Sequence, residues 1–128
     1  MQIQDVKHFI DLIAWKKNHE FVLNVYLITK SFPREEMFGL TDQIRRASSS
    51  ITANIAEGYG RYYIKDKLRF YYQARGSNTE CQNHLILAHE LNYIPDEDYN
   101  KIKIICFEGY KILCGLIKST NNQINKTD

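Results

Sequence analysis

The stretch from Tyr59 to Arg75 sets Arg61, Lys65, Lys67, Arg69 and Arg75 against a single acid, Asp66, and interleaves them with Tyr59, Tyr62, Tyr63, Phe70, Tyr71 and Tyr72. Cations of this kind neutralise phosphates, and rings placed between them stack on unpaired bases, worth roughly 1–3 kcal/mol per base. That is the chemistry of a nucleic-acid surface. The same residues also suit a corner of a helical bundle, with the tyrosines in the core or an interface and the lysines merely in solvent. A second group, Arg46, Ser50, Asn54, Glu57 and Arg61, falls within about 80° on one helical face. It reads as a solvated face, or as an inward seam in which Arg46 and Glu57 pair with Arg75 or Glu80 of the next helix. A third reading aims these guanidinium forks at a ligand phosphate or carboxylate.

Other chemistry is poorly served. A di-iron bundle needs inward glutamates and Glu-x-x-His pairs on two helices, and only Glu80 and His84, four apart on one helix, come near that pattern. His8, His19 and His89 have no companions at ligand spacing. Cys81, Cys106 and Cys114 match no zinc spacing and read as small core or interface residues. The Gly58-Tyr59-Gly60 run before Arg61 reads as a helix stop rather than a phosphate loop. No nucleophile comes with a base and an orienting group. Catalytic residues, metal and cofactors are accordingly not expected.

These side chains need long helices to carry them. Phe32-Pro33, the glycines at 58 and 60, and the Asn92-Tyr93-Ile94-Pro95 run divide the chain. Asp96, Glu97 and Asp98 then favour the first turn of a last helix through the helix dipole. Apolar residues recur at helical spacing in each segment. In the first they are Trp15, Val22, Val25, Tyr26, Thr29 and Phe32, and in the second Leu40, Ile44, Ala47, Ile51, Ile55 and Gly58. The third offers Phe70, Ala74, Ser77, Cys81, Leu85 and Ala88, and the fourth Ile102, Ile105, Gly109, Leu113 and Leu116. Segments of roughly 20–27 residues give helices about 30–40 Å long, and short connections make an all-α, antiparallel up-down-up-down four-helix bundle. Residues 1–120 form this single domain, and the polar stretch 121–128 reads as a frayed tail.

More apolar surface is present than one bundle core needs. Leu68, Tyr72 and Ile86 fall opposite the third stripe; Ile104, Phe107 and Cys114 flank the fourth, and Leu23 and Leu27 the first. Such faces predict a homo-oligomer. The 128 residues carry a net charge of +2 with 44% hydrophobic and 25% charged residues, which argues against disorder and implies no polyanion partner by itself. Three cysteines, no spanning apolar run and no signal pattern in Met1–Asp11 predict a cytoplasmic chain without membrane contact.

The words FGL, QIRRA, NIAEGYGR and ARGS, within Phe38–Arg61 and Phe70–Glu80, resemble one family. It is that of the four-helix-bundle proteins encoded in intervening sequences of bacterial large-subunit ribosomal RNA genes. Trp15, Val25-Tyr26, Phe32-Pro33 and the Leu91–Pro95 turn extend the resemblance over nearly the whole chain. It implies a homopentamer arranged as a ring or barrel and a similarity in shape to the accessory variability protein of diversity-generating retroelements, which binds nucleic acid and a reverse transcriptase. RNA or DNA binding is the role usually inferred for the family, and no catalytic residues come with it. By position it points to Arg45, Arg46, Asn54, Glu57, Gly58, Arg61, Arg75, Gly76, Ser77 and Glu80. The chain departs from the family pattern at Thr52, where proline is usual, and near Tyr63, where serine or threonine usually starts the third helix.

The resulting expectation is a nucleic-acid surface of Arg45, Arg46, Arg61, Lys65, Lys67, Arg69 and Arg75, beside a structural polar network of Asn54, Glu57 and Glu80. A protein-interaction scaffold with a purely structural polar stripe is the competing reading.

Overall fold

The computed structural model describes residues 6–127, and its described residues are helical with no strand. α1 spans Ile13–Ile28, α2 Leu40–Tyr59, α3 Ile64–Glu90 and α4 Asp96–Thr127, with short 3-10 turns at Phe9–Asp11, Thr29–Ser31 and Arg34–Glu36. α1 packs on α2 and α4, α2 on α3, and α3 on α4, so the helices close into the antiparallel four-helix bundle.

The clearest helix is α2, whose buried face holds the whole predicted stripe of Leu40, Ile44, Ala47, Ile51, Ile55 and Gly58, with the small polar residues Thr41 and Ser48 buried beside it. Gly58 is not a stop, as its spacing before Gly60 implied. It lies inside α2, and an alanine Cβ there would meet the Tyr71 ring at 2.7 Å, so the missing side chain lets α2 and α3 approach closely. Gly60 caps the helix instead. Tyr63 occupies the N-cap of α3 with no side-chain cap bond, in keeping with the departure seen in the sequence.

α1 and α3 differ from the predicted stripes. Ala14, Asn18, Phe21, Val22 and Val25 are the buried residues of α1, while Trp15 is only half-buried and Tyr26 is 43% exposed. In α3 the buried face is Leu68, Tyr71, Ala74, Asn78, Cys81, His84, Leu85 and Ala88. Leu68 is therefore core, not outward, and Phe70 and Ser77 sit at the helix flank. The cause is polar: Asn18 and Asn78 are both fully buried and take positions that periodicity would give to apolar residues.

These two asparagines tie three helices together in mid-bundle. Asn18 Nδ2 donates to the carbonyls of Ala14 at 2.8 Å and Gly109 at 3.2 Å. Asn78 Nδ2 donates to Asn18 Oδ1 at 3.3 Å and to the Cys106 carbonyl at 3.1 Å, while its Oδ1 accepts from Gln82 Nε2 at 2.9 Å. Gly109 makes this crossing fit, since a Cβ there would sit 2.6 Å from Asn18 Oδ1. A buried polar layer with its donors and acceptors matched fixes one register of the helices.

The end of the bundle holding the first and third connections is pinned by Glu36. Its Oε1 accepts the Leu40 N–H at 3.1 Å, capping α2, and its Oε2 accepts the Tyr93 hydroxyl at 2.8 Å. These bonds hold the carboxyl below the ordinary glutamate range, the Leu40 N–H being the larger cause and the Tyr93 hydroxyl the lesser. α3 ends in a Schellman turn: Tyr93 N–H bonds the Ala88 carbonyl and Asn92 N–H the His89 carbonyl, both at 2.9 Å. Asn92 takes the required left-handed conformation at φ 63°.

α4 runs through the polar stretch after residue 120 as far as Thr127. Leu113, Ile117 and Thr120 extend the buried stripe, and Ile124 packs half-buried against the core, which gives the last turns tertiary support.

Candidate nucleic-acid interface

The α2–α3 turn is short because Gly60 ends one helix and Ile64 begins the next. Tyr62 and Tyr63 lie between them, and they are 88% and 68% exposed. Their rings meet edge to face, 5.1 Å apart at 84°. Tyr71, about two helical turns further on, is by contrast core, 2% exposed, and burial with the nearby Tyr59 pushes its hydroxyl up to about 12.

The predicted cations have different neighbours. Arg61 Nη2 pairs with Glu57 Oε1 at 2.6 Å and its guanidinium lies 4.7 Å from the Phe70 ring centre. Arg69 reaches the same ring at the same distance, with Asp66 4.0 Å away. Two guanidinium groups thus share one aromatic ring, which keeps both extended at the surface. Lys65 is exposed and makes no ion pair or hydrogen bond among the described residues. Surface pairs such as Arg61–Glu57 contribute little and exchange readily for another anion.

Lys67 does something else. Its Nζ donates to the Tyr59 carbonyl at 2.6 Å and the Gly58 carbonyl at 3.4 Å, capping the C-terminus of α2. Partial burial pushes its ammonium below the ordinary lysine range. In this position it clamps the turn.

Arg45, Arg46 and Arg75 stand apart from this corner. Arg45 is about 24 Å from Arg61 along α2 at 1.5 Å per residue. It bridges to α1, its Nε donating to Thr29 Oγ1 at 2.9 Å with its guanidinium 4.8 Å from the Tyr26 ring centre. Arg46 is largely exposed and pairs with Asp42 at 2.8 Å. Arg75 lies over Tyr72 at 5.1 Å. Of the readings of this stripe, the inward seam does not form among the described residues: Arg46 pairs with Asp42, Glu57 with Arg61 and Glu80 with His84, while Arg75 lies over Tyr72.

Nor do Asn54, Glu57 and Glu80 make one network. Asn54 bonds Ser50, Glu57 bonds Arg61, and Glu80 lies 3.6 Å from His84 Nε2. One link does cross the helices: Ser77 Oγ donates to Ser50 Oγ at 3.1 Å. The polar network that does exist, around Asn18 and Asn78, was missed in the sequence. Its signal was available, since Asn78 stands between Ala74 and Cys81 at core spacing.

Among the described residues no cluster of three or more His, Cys, Asp or Glu is placed to hold a metal ion. Cys81 and Cys106 are buried free thiols, both pushed up by burial, Cys106 to about 12, so neither is a thiolate near neutral pH. His84 Nδ1 is buried without a hydrogen-bond partner among the described residues.

Apolar residues cover other faces. Leu23 and Leu27 are 58% and 65% exposed on α1, and Ile86, Ile104 and Phe107 line a groove of about 420 Å³ between α3 and α4. No helix among the described residues is long and apolar enough to cross a membrane.

A basic, aromatic corner on an antiparallel four-helix bundle is the class these observations define. Comparison with known proteins makes it specific: residues 10–115 match the family described as 23S rRNA-intervening sequence protein, and the chain belongs to that family. It is also similar to a crystal structure of a protein with unknown function from the S23 ribosomal protein family of Bacteroides thetaiotaomicron. The two share 28% identity and a TM-score of 0.77 over 83% of this chain and 99% of that one. No curated protein matches the chain.

Proposed function

We propose that this chain is a non-catalytic, homo-oligomeric bundle of the cytoplasm that binds RNA or other nucleic acid through the α2–α3 corner. The observation that carries the reading is the turn itself: two tyrosine rings stand in solvent among Arg61, Lys65 and Arg69. The exposed Leu23–Leu27 face and the α3–α4 groove support assembly. A ring of five, as the family resemblance implies, would repeat the corner and turn a net charge of +2 per chain into a strong local field.

The test is anisotropy of a labelled structured RNA titrated at several salt concentrations. Binding should weaken log-linearly with salt, and Lys65→Glu with Arg69→Glu should lower affinity at least about tenfold and flatten the slope. An unchanged affinity in that variant would overturn the corner assignment. The scaffold reading draws on the same apolar faces, and it predicts instead that the charge-reversed variant keeps its partner.

A further inference from the structure

We infer that the corner takes unpaired nucleotides, with a base stacked on Tyr62 and neighbouring phosphates on Lys65, Arg61 and Arg69; this rests on the nucleic-acid reading above. Of the aromatic residues between Tyr59 and Tyr72, Tyr71 is buried, Tyr59 and Phe70 are half-buried and Tyr72 is 43% exposed. Tyr62 alone offers nearly its whole ring, at 88%. Its neighbour Tyr63 meets it edge to face at 5.1 Å, so the ring is braced while open surface remains for stacking.

A ring in this position has little to gain from a duplex. Paired bases are stacked inside the helix and show only their edges in the grooves, where an inserted helix or ribbon reads them. The corner presents neither. It presents a turn between two helix ends, with rings outward and cations beside them. Bases in single strands, loops or bulges expose their faces, and every base has one, so such a platform is tolerant of sequence.

The charges fit the same substrate. Lys65 is unpartnered among the described residues, and the Arg61 and Arg69 guanidinium groups are held out on the Phe70 ring. Glu57 and Asp66 are the acids facing them, each paired with one arginine. Lys67 is occupied in capping α2, so the turn stays rigid while the others engage phosphate.

The experiment uses the full chain and two fluorescein-labelled probes, a 20-nucleotide RNA without self-complementarity and the same strand annealed to its complement. The expected result is single-strand binding at least about tenfold tighter than duplex binding. Tyr62→Ala should lower single-strand affinity about tenfold and leave duplex affinity alone, with Tyr62→Phe restoring it. Circular dichroism should show all three proteins equally folded, the ring being in solvent. Equal affinity for both probes, with Tyr62→Ala silent, overturns the stacking inference while leaving salt-dependent binding intact. Absence of binding to either probe at low salt overturns both readings, and a change of oligomeric state in Tyr62→Ala would then assign the ring to a protein contact.

Discussion

The mid-bundle layer and the α2–α3 corner are both rich in polar side chains, yet they treat them oppositely. Asn18 and Asn78 are fully buried, and their amides bond across α1, α3 and α4. At the corner Arg61, in the turn, pairs with Glu57 of α2 and Arg69 lies near Asp66 of its own helix, all in solvent, and Lys65 keeps no partner among the described residues. A buried polar group must be matched where it lies, because the loss of a partner leaves its desolvation uncompensated. An exposed charge can change partners at almost no cost. The layer is thus suited to specifying the fold, and the corner to meeting something outside it.

Cutting the layer should have the largest effect. Asn78→Ala leaves Asn18 Oδ1, the Cys106 carbonyl and Gln82 without their shared partner and opens a small cavity, and it should cost about 2–4 kcal/mol in urea unfolding. A loss under about 0.5 kcal/mol would place the layer with ordinary surface positions and break the contrast.

Lys67 sharpens it from the other side, as the corner cation with a structural task. Lys67→Ala removes the cap on α2 and should cost about 1 kcal/mol, read as a lower unfolding midpoint. Lys65→Glu with Arg69→Glu should leave that midpoint nearly unchanged.

Glu36 gives the smallest and most conditional effect. Its carboxyl is held below its ordinary range, so its contribution to stability is present above the unfolded value and is lost as pH falls through the folded one. Glu36→Gln should therefore be less stable than the parent near neutral pH, and thermal scans should show the difference closing as pH drops below the glutamate range. A difference that persists unchanged at acid pH would mean that the Leu40 and Tyr93 contacts do not depend on the charge.

The helix count, the turns and the α2 stripe were legible in the sequence because each rests on local rules. Pro33 and Asn92 act on their own backbone, and α2 keeps apolar residues at helical spacing on its inner face at Leu40, Ile44, Ala47, Ile51 and Ile55, with only the small Thr41 and Ser48 buried beside them. The α1 and α3 faces were harder to read. Buried Asn18, Asn78 and His84 diluted the inner face, while exposed Leu23, Leu27, Ile86 and Leu87 enriched the outer one. The corner was legible as composition but not as roles. Nothing in its spacing separates Lys65 from Lys67, although one is free among the described residues and the other bonds two carbonyls.

The sequence by itself determined an all-helical chain, its connections, its best-defined core face, and the presence of cations and rings near the second turn. Periodicity, caps and charge depend on neighbours a few residues away, so a linear string contains them. Tertiary structure decided which polar groups are buried together, why Gly109 must lack a side chain beside Asn18, and which tyrosines reach solvent. Those outcomes depend on contacts between residues up to 91 apart, such as Asn18 and Gly109, and only the packed helices bring them within hydrogen-bond reach.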